Sequence, residues 1–521
     1  MKIEKTPEPI EAATLKGGGR MDHLVSAYLG KYKLSDSAQS FLGRSRGHFI
    51  NGAWCESAAH YDKIDPCTGG VLTQHALGDA SDIDLAVRSA RSALRGEWAT
   101  MSPLARDELI RKLADTIEAH AEELATLECL DVGKPLKLAR VVDIASAAKT
   151  FRYFAGWASK IGGRQVNASA SPFDLMGYTL KSPVGVVAAI TAWNFPLSTL
   201  SWKMGAALAA GCTAVIKPSE LASLSALRFA ELAKEAGFPN GVLNVVTGDG
   251  AQTGTALTSH PGIDKITFTG SSRTGSAIGA RAGADIKRLT LELGGKSAAI
   301  VLKDANIKAA AVQAADGVFF NSGQTCDACT RVLVEDEIYD EFMAALVEVT
   351  DGLPVGPGLD PGSFVGPLIS ERQMQKVLGY IEGAKAEGAT LLTGGQRNGT
   401  EGYFVNPTVF DNVSTTSRLW KEEVFGPVLA VRRFSGDEEA VALANDSDYG
   451  LAATIYSNDL TRVHRMIKRL EAGSIYVNRQ STLDPAMPFG GMKKSGYGKD
   501  MGSEQIEDYL TTRAVWITLS E

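Results

Sequence analysis

A doubly wound α/β fold is predicted for residues 184–294 by three observations. Short β-rich apolar runs alternate with stretches of helical period. Two of those helical stretches stop at a glycine. Two strands are followed by Gly-rich turns that open the next helix. In order, 184–191 reads as a strand and 197–210 as a helix ended by Gly211. Thr213–Lys217 is a strand and 221–236 a helix ended by Gly237. The run 242–246 is a strand followed by a glycine turn and a short helix to Ser259. Lys265–Thr269 is a strand with another glycine turn and helix, and 289–293 closes the series. A second region of β and α segments runs from Ser297 to about Gly491.

The flanking segments read differently. Residues 1–47 are polar, with Gly17, Gly18 and Gly19 and no sustained period, and are expected to form an N-terminal arm in which Met21 offers an alternative start. Regular structure is expected from Phe49, as a short strand with a turn at Asn51 and Gly52. Between Pro103 and Leu130 the apolar residues Leu109, Leu113, Ile117, Leu124 and Leu127 keep a helical spacing until Gly133 and Pro135. Residues 164–169 and 177–180 flank Ser171 and Pro172, a hairpin signal. The tail 509–519 is again β-rich.

Composition narrows the function. The 521 residues carry 53 Lys and Arg against 60 Asp and Glu, a net charge of −7. That speaks against a nucleic-acid partner, which leaves a basic footprint. With 44% hydrophobic and 22% charged residues the chain is globular. The apolar stretch 184–193 is far short of the ~20 residues of a membrane span, and the N-terminus shows no signal-peptide core. Six cysteines give no disulfide framework, which suggests a reducing compartment and a cytoplasmic protein. Glycine, at 54 residues, exceeds the usual ~7% and suggests tight turns and close backbone approaches to a ligand.

Five segments carry candidate chemistry. Asn194, in Thr191-Ala-Trp193-Asn-Phe195-Pro at a strand end, is placed to donate to an oxyanion, although taken alone a plain turn is the better reading. Lys217 and Glu220 suit the adjacent hydroxyls of a ribose; alone, they read as a solvated turn. Gly248, Gly250 and Gly254, then Gly270, Ser271 and Gly275, follow strands and open helices, where backbone N–H groups take phosphate. Glu292 lies between two leucines, ahead of Gly294 and Gly295. Partial burial there raises a carboxyl pKa toward that of a general base; an ion pair with Lys296 is the structural alternative. Cys326 lies in a polar, Gly-containing turn and reads as a nucleophilic thiolate. With Cys329 it also forms a C-x-x-C pair, but no further Cys or His stands near, so no metal site is expected.

These segments occur in the order W-N-F-P, K-P-S-E, F-T-G-S, L-E-L-G-G-K, G-Q-x-C, E-E-V-F-G-P and P-F-G-G-x-K-x-S-G. The chain thereby resembles the NAD(P)-dependent aldehyde dehydrogenase superfamily from about residue 49 to the end. The resemblance implies two doubly wound α/β domains, for cofactor and catalysis, plus a small β oligomerisation element. On this chain they map to 48–160 with 184–294, to 295–495, and to 161–183 with 496–521. It implies Cys326 as nucleophile, Glu292 as general base, and Asn194 with the Cys326 N–H as oxyanion donors. Thr191, Trp193, Lys217, Glu220, Gly250, Ser271, Leu293, Glu423 and Phe425 are implied to hold NAD, with NADP possible. The substrate pocket would draw on Phe195, Thr199, Trp202, Thr325, Asp327, Leu483 and Phe489. A homodimer or homotetramer is implied.

Some positions depart from the common pattern. Asp327 follows the nucleophile where a small or sulfur-bearing residue is usual, and Cys329 replaces a proline or small residue. Ser198, Thr199, Arg479, Ser481, Thr482 and Asp484 make the pocket segments polar, which suggests an oxygenated, amino-bearing or aromatic-polar aldehyde. Two rivals share the fold: a CoA-acylating semialdehyde dehydrogenase, a branch that typically lacks the glutamate present here as Glu292, and a non-catalytic binding protein, which has no need of Cys326, Glu292 and Asn194 together.

Overall fold

The computed structural model describes residues 21–43, 46–167 and 174–519. An eight-stranded sheet is ordered Ala53–Cys55, His48–Ile50, Leu243–Val245, Thr213–Lys217, Val186–Ile190, Lys265–Thr269, Arg288–Glu292, Gly496–Tyr497. Its five central strands are parallel. Consecutive residues of one strand go to opposite cores: Val186, Ala188 and Ile190 join one, Val187 and Ala189 the other. Both faces are therefore covered, which explains the unbroken apolar runs of the sequence. From Val186–Ile190 the chain winds first to one side and later, at Lys265–Thr269, to the other, leaving a crevice at the carboxyl ends between them.

The second sheet has seven strands, with Ala298–Val301 between Arg331–Glu335 and Ala452–Tyr456, all parallel. Ala298 and Ile300 face one core, Ala299 and Val301 the other. A separate antiparallel ribbon pairs Leu510–Thr518 with Leu175–Pro183, whose other edge takes Gln165–Asn167. The turn expected at Ser171 and Pro172 lies outside the described residues.

Three expectations are corrected. Regular structure begins before Phe49: His23–Leu29 and Asp36–Leu42 are helices, N-capped by Asp22 and Ser35. Val25, Tyr28, Leu29, Phe41 and Leu42 join the main core, so this part of residues 1–47 is not a polar arm. Two-turn helices show too little periodicity to stand out in sequence. Next, the helix expected over 103–130 is two helices, Pro103–Ala119 and Ala121–Val132, parted at His120, where φ is −105° and ψ 20°. Finally, the ribbon starts at Leu510 rather than at 496, because Gly496–Tyr497 pairs with Arg288–Glu292 in the first sheet.

Candidate active site

Asn194, Glu292 and Cys326 arrive from three distant parts of the chain at one cleft of about 2110 Å³. Asn194 sits just past Val186–Ile190, two residues before the helix Pro196–Ala210, every residue of which is buried. Glu292 is the last residue of its strand. Cys326 follows a turn with left-handed backbone at Asn321, Ser322 and Gly323. A Cβ at Gly323 would lie 2.0 Å from the Gly426 carbonyl oxygen, so the turn needs glycine there. Side chains brace it. Asn321 Nδ2 donates to Asn194 O at 3.1 Å, Gln324 Oε1 accepts from the Ile369 amide at 2.9 Å, and Ser322 Oγ donates to Gly366 O at 2.8 Å.

The Gly294-Gly295 pair has a steric reason. A Cβ at Gly294 would meet Glu423 Oε2 at 2.2 Å, and one at Gly295 would meet Cys326 O at 2.5 Å. Only glycine lets the end of the first sheet close on both groups. Glu423 Oε1 in turn accepts the Gly295 amide at 3.1 Å.

Burial dominates the electrostatics of the site. Glu292 is 4% exposed, and among the described residues neither carboxyl oxygen has a side-chain hydrogen-bond partner. Burial drives its pKa well above the usual carboxylate range; Asp500 adds to this, and Lys203 and Lys499 oppose it. Lys203 is itself paired with Asp500 at 2.8 Å. The alternative of a Glu292–Lys296 ion pair is not formed: Lys296 Nζ is also without a partner among the described residues, and burial lowers its pKa to about 7. The surroundings of Cys326 disfavour its thiolate. Burial, then Asp327, Glu423 and Glu292, push its pKa well up. Asp327 is buried and accepts from the Tyr476 hydroxyl at 3.3 Å. Cys329 packs in a core beneath the second sheet, near Thr454, whereas Cys326 packs against Trp202, Leu451, Phe489 and Met501.

Thr191, Trp193, Lys217, Glu220, Gly250, Ser271, Leu293, Glu423 and Phe425, expected to hold the cofactor, and Phe195, Thr199, Trp202, Thr325, Asp327, Leu483 and Phe489, expected in the substrate pocket, all line this cleft. Asp484, expected with the polar pocket segments, is not among the lining residues. Trp193 meets Phe425 edge-on at 5.1 Å, and Phe195 stacks on Phe320 at 6.0 Å. Lys217 Nζ donates to Pro218 O at 3.0 Å and lies 3.9 Å from Glu220. Ser271 caps the helix Ser272–Ala284, whose free N–H groups open on the crevice, and no atom lies within 4 Å of a Cβ built at Gly250. The cleft's size, its place at the strand crossover, its capped helix start and its half-buried Glu220 fit a dinucleotide.

Sequence reasoning missed several lining or bracing residues. Gln373 donates to Phe425 O at 2.8 Å and Lys376 to Glu423 O at 3.2 Å. Asp316, Gln313 and Phe320 line the cleft from one face of the helix Ile307–Phe319 and the turn after it. Their three- and four-residue spacing was the available signal.

The aldehyde dehydrogenase family model matches residues 54–515. The chain belongs to the aldehyde dehydrogenase family. It is 44% identical over 476 residues to the NADP/NAD-dependent aldehyde dehydrogenase PuuC of Escherichia coli, covering 90% of this chain and 95% of that one. It is 44% identical over 475 residues to aldehyde dehydrogenase family 2 member C4 of Arabidopsis thaliana, covering 90% and 94%. Among solved structures, the NAD+ complex of aldehyde dehydrogenase from Bacillus cereus superposes with a TM-score of 0.92 at 44% identity, over 94% of this chain and 99% of that one. The two-sheet architecture is thus that of the family.

Proposed function

We propose that this aldehyde dehydrogenase oxidises its substrate to a carboxylate through a thioester on Cys326, with NAD as cofactor. The observation that carries the reading is the meeting of Cys326, Glu292 and Asn194 in one cleft that also fits a dinucleotide.

The chemistry follows from the surroundings. The Cys326 thiol is part-buried on the cleft wall and flanked by carboxyls, so it must first release its proton to solvent in the cleft, after which the sulfur attacks the aldehyde carbon. Asn194 has two amide hydrogens. One binds Gln324 O at 3.0 Å, leaving the other for the oxyanion beside the Cys326 N–H. NAD, when bound, supplies the hydride acceptor, and Thr191, Trp193, Lys217, Glu220, Gly250, Ser271, Leu293, Glu423 and Phe425 are the residues to hold it. Glu292, with a raised pKa and two unengaged oxygens, then takes a proton from the water that hydrolyses the thioester. The water-activating carboxyl favours hydrolysis over transfer to CoA.

The pocket wall carries Asp316, Asp327, Thr199, Ser481 and Thr482 beside aromatic rings, which supports a polar aldehyde, amino- or hydroxyl-bearing. The ribbon exposes Trp516, Ile517 and Leu519, which supports a homodimer or homotetramer formed across it. All six cysteines are free, in keeping with a reducing, cytoplasmic setting. The test is NADH formation at 340 nm across an aldehyde panel. Steady turnover with at least one member is expected; none with any member overturns the reading.

A further inference from the structure

The helix Pro196–Ala210 begins one residue after the Asn194 turn is complete, and Phe195 offers it no side-chain cap. The cap comes from another helix. Glu128, in Ala121–Val132 and wholly buried, accepts the Leu197 amide on Oε1 at 2.7 Å. The same oxygen accepts the Ser225 hydroxyl at 3.0 Å. Among the described residues its other oxygen, Oε2, has no partner when both carboxyls are counted as acceptors only, and neither has Oδ1 of buried Asp143. Glu128 is nevertheless a hydrogen-bonding neighbour of Asp143, acting to lower the Asp143 pKa against its burial. Asp143 Oδ2 is bound to Lys134 Nζ at 2.7 Å, and that ammonium lies 3.9 Å from the centre of the Phe195 ring. Ser198 Oγ donates to Asp143 O at 3.3 Å.

We infer that Glu128 is a neutral carboxylic acid, with Oε2–H donating to Asp143 Oδ1, and that it is the positioning residue that holds Asn194 toward Cys326. One proton satisfies both orphaned oxygens and leaves one carboxylate to balance one ammonium among fully buried side chains. The Asn194–Phe195 turn is then held from two sides: by the acid on the Leu197 amide, and by the Asp143–Lys134 pair under the Phe195 ring. Burial and the neighbouring Asp143 both drive the Glu128 pKa upward, with Lys134 opposing. The positioning half of this inference rests on Asn194 serving as oxyanion donor.

The test uses the full enzyme with NAD and one turned-over aldehyde. Glu128→Gln offers the same acceptor and donor, so turnover within twofold of wild type and an unchanged thermal midpoint are expected. Glu128→Leu removes both, and kcat is expected to fall roughly tenfold or more with little change in KM, since small misplacements of a catalytic group are costly. Glu128→Leu with Asn194→Ala should be no slower than Asn194→Ala alone. In infrared difference spectra, Glu292→Gln/Glu128→Gln should lack a protonated carboxyl C=O band present in Glu292→Gln. If Glu128→Gln fails as badly as Glu128→Leu, or no band is lost, the neutral acid is overturned. If the two losses are additive, or Asn194→Ala turns over normally, the positioning role is overturned; the second result also removes Asn194 from the reaction, while the infrared result stands apart. Should Glu128→Leu not fold, Glu128→Gln and the infrared band decide the acid.

Discussion

The side-chain amide of Asn194 donates to the carbonyl oxygen of Gln324 at 3.0 Å, two residues before Cys326. Asn321 returns a bond to the Asn194 carbonyl at 3.1 Å. The start of a helix on the first sheet is thereby tied to the loop of the second sheet that presents the sulfur. Asn194→Ala removes the proposed oxyanion donor and the bond to Gln324 while leaving the Asn321 bond to the backbone, and kcat should fall roughly 10²–10³-fold. A loss below tenfold in a folded variant would remove Asn194 from the chemistry.

Cys326→Ala and Glu292→Gln should fail in different ways. Without the sulfur no covalent adduct forms, so oxidation should be undetectable. Without the base, hydrolysis should stall after one turnover at raised pH, giving a stoichiometric burst of NADH and an acyl group on Cys326 by mass spectrometry. Near-normal turnover in Glu292→Gln would exclude it as the base.

Glu292 should also cost stability. Its pKa is raised from 4.5 by burial, so the native state binds the extra proton between 4.5 and the raised value. Stability therefore falls as pH rises through that window and stays lower by a constant amount above it. Glu292→Gln carries no such penalty. Its Tm should exceed that of wild type at pH 8 by more than at pH 5; the opposite trend refutes the assignment of an unpaired buried acid.

After burial, Asp327 is the first cause that raises the Cys326 pKa. Asp327→Asn should move the midpoint of iodoacetamide alkylation to lower pH. It should also weaken preference for 3-aminopropanal over its neutral isostere butanal by several-fold if the carboxyl reads the substrate. An unmoved midpoint would mean that the bond to Tyr476 already screens it.

If Glu220 takes the adenosine ribose, as proposed, its charge sets the cofactor preference. A 2′-phosphate beside a carboxylate is repelled, with Lys217 only partly offsetting it. Wild type should favour NAD in kcat/KM, and Glu220→Gln should shift the ratio toward NADP by about tenfold. A wild-type ratio favouring NADP sinks the argument.

Deleting residues 510–521 strips the outer strand of the ribbon. Light scattering should then give a monomer mass where the full chain gives a dimer or tetramer. A full-length monomer at micromolar concentration would exclude assembly through this edge.

Local chemistry was legible in the chain itself. The parallel strands of the first sheet, the glycines that end Pro196–Ala210 and Leu224–Ala236, and the motif residues around Cys326 and Glu292 announce themselves because period, capping and turn formation act over a few residues. Other features depend on residues far apart. Nothing near Glu292 in sequence says that its oxygens lack a side-chain partner among the described residues, or that burial and the distant Glu423 and Glu292 add to neighbouring Asp327 in raising the Cys326 pKa. Likewise Glu128 and Asp131, three apart on one helix, cap two later helices through Leu197 and Leu224, 69 and 93 residues on. Desolvation and through-space charge depend on which segments the fold packs together, so the pKa values and the bracing of the site were decided only in three dimensions.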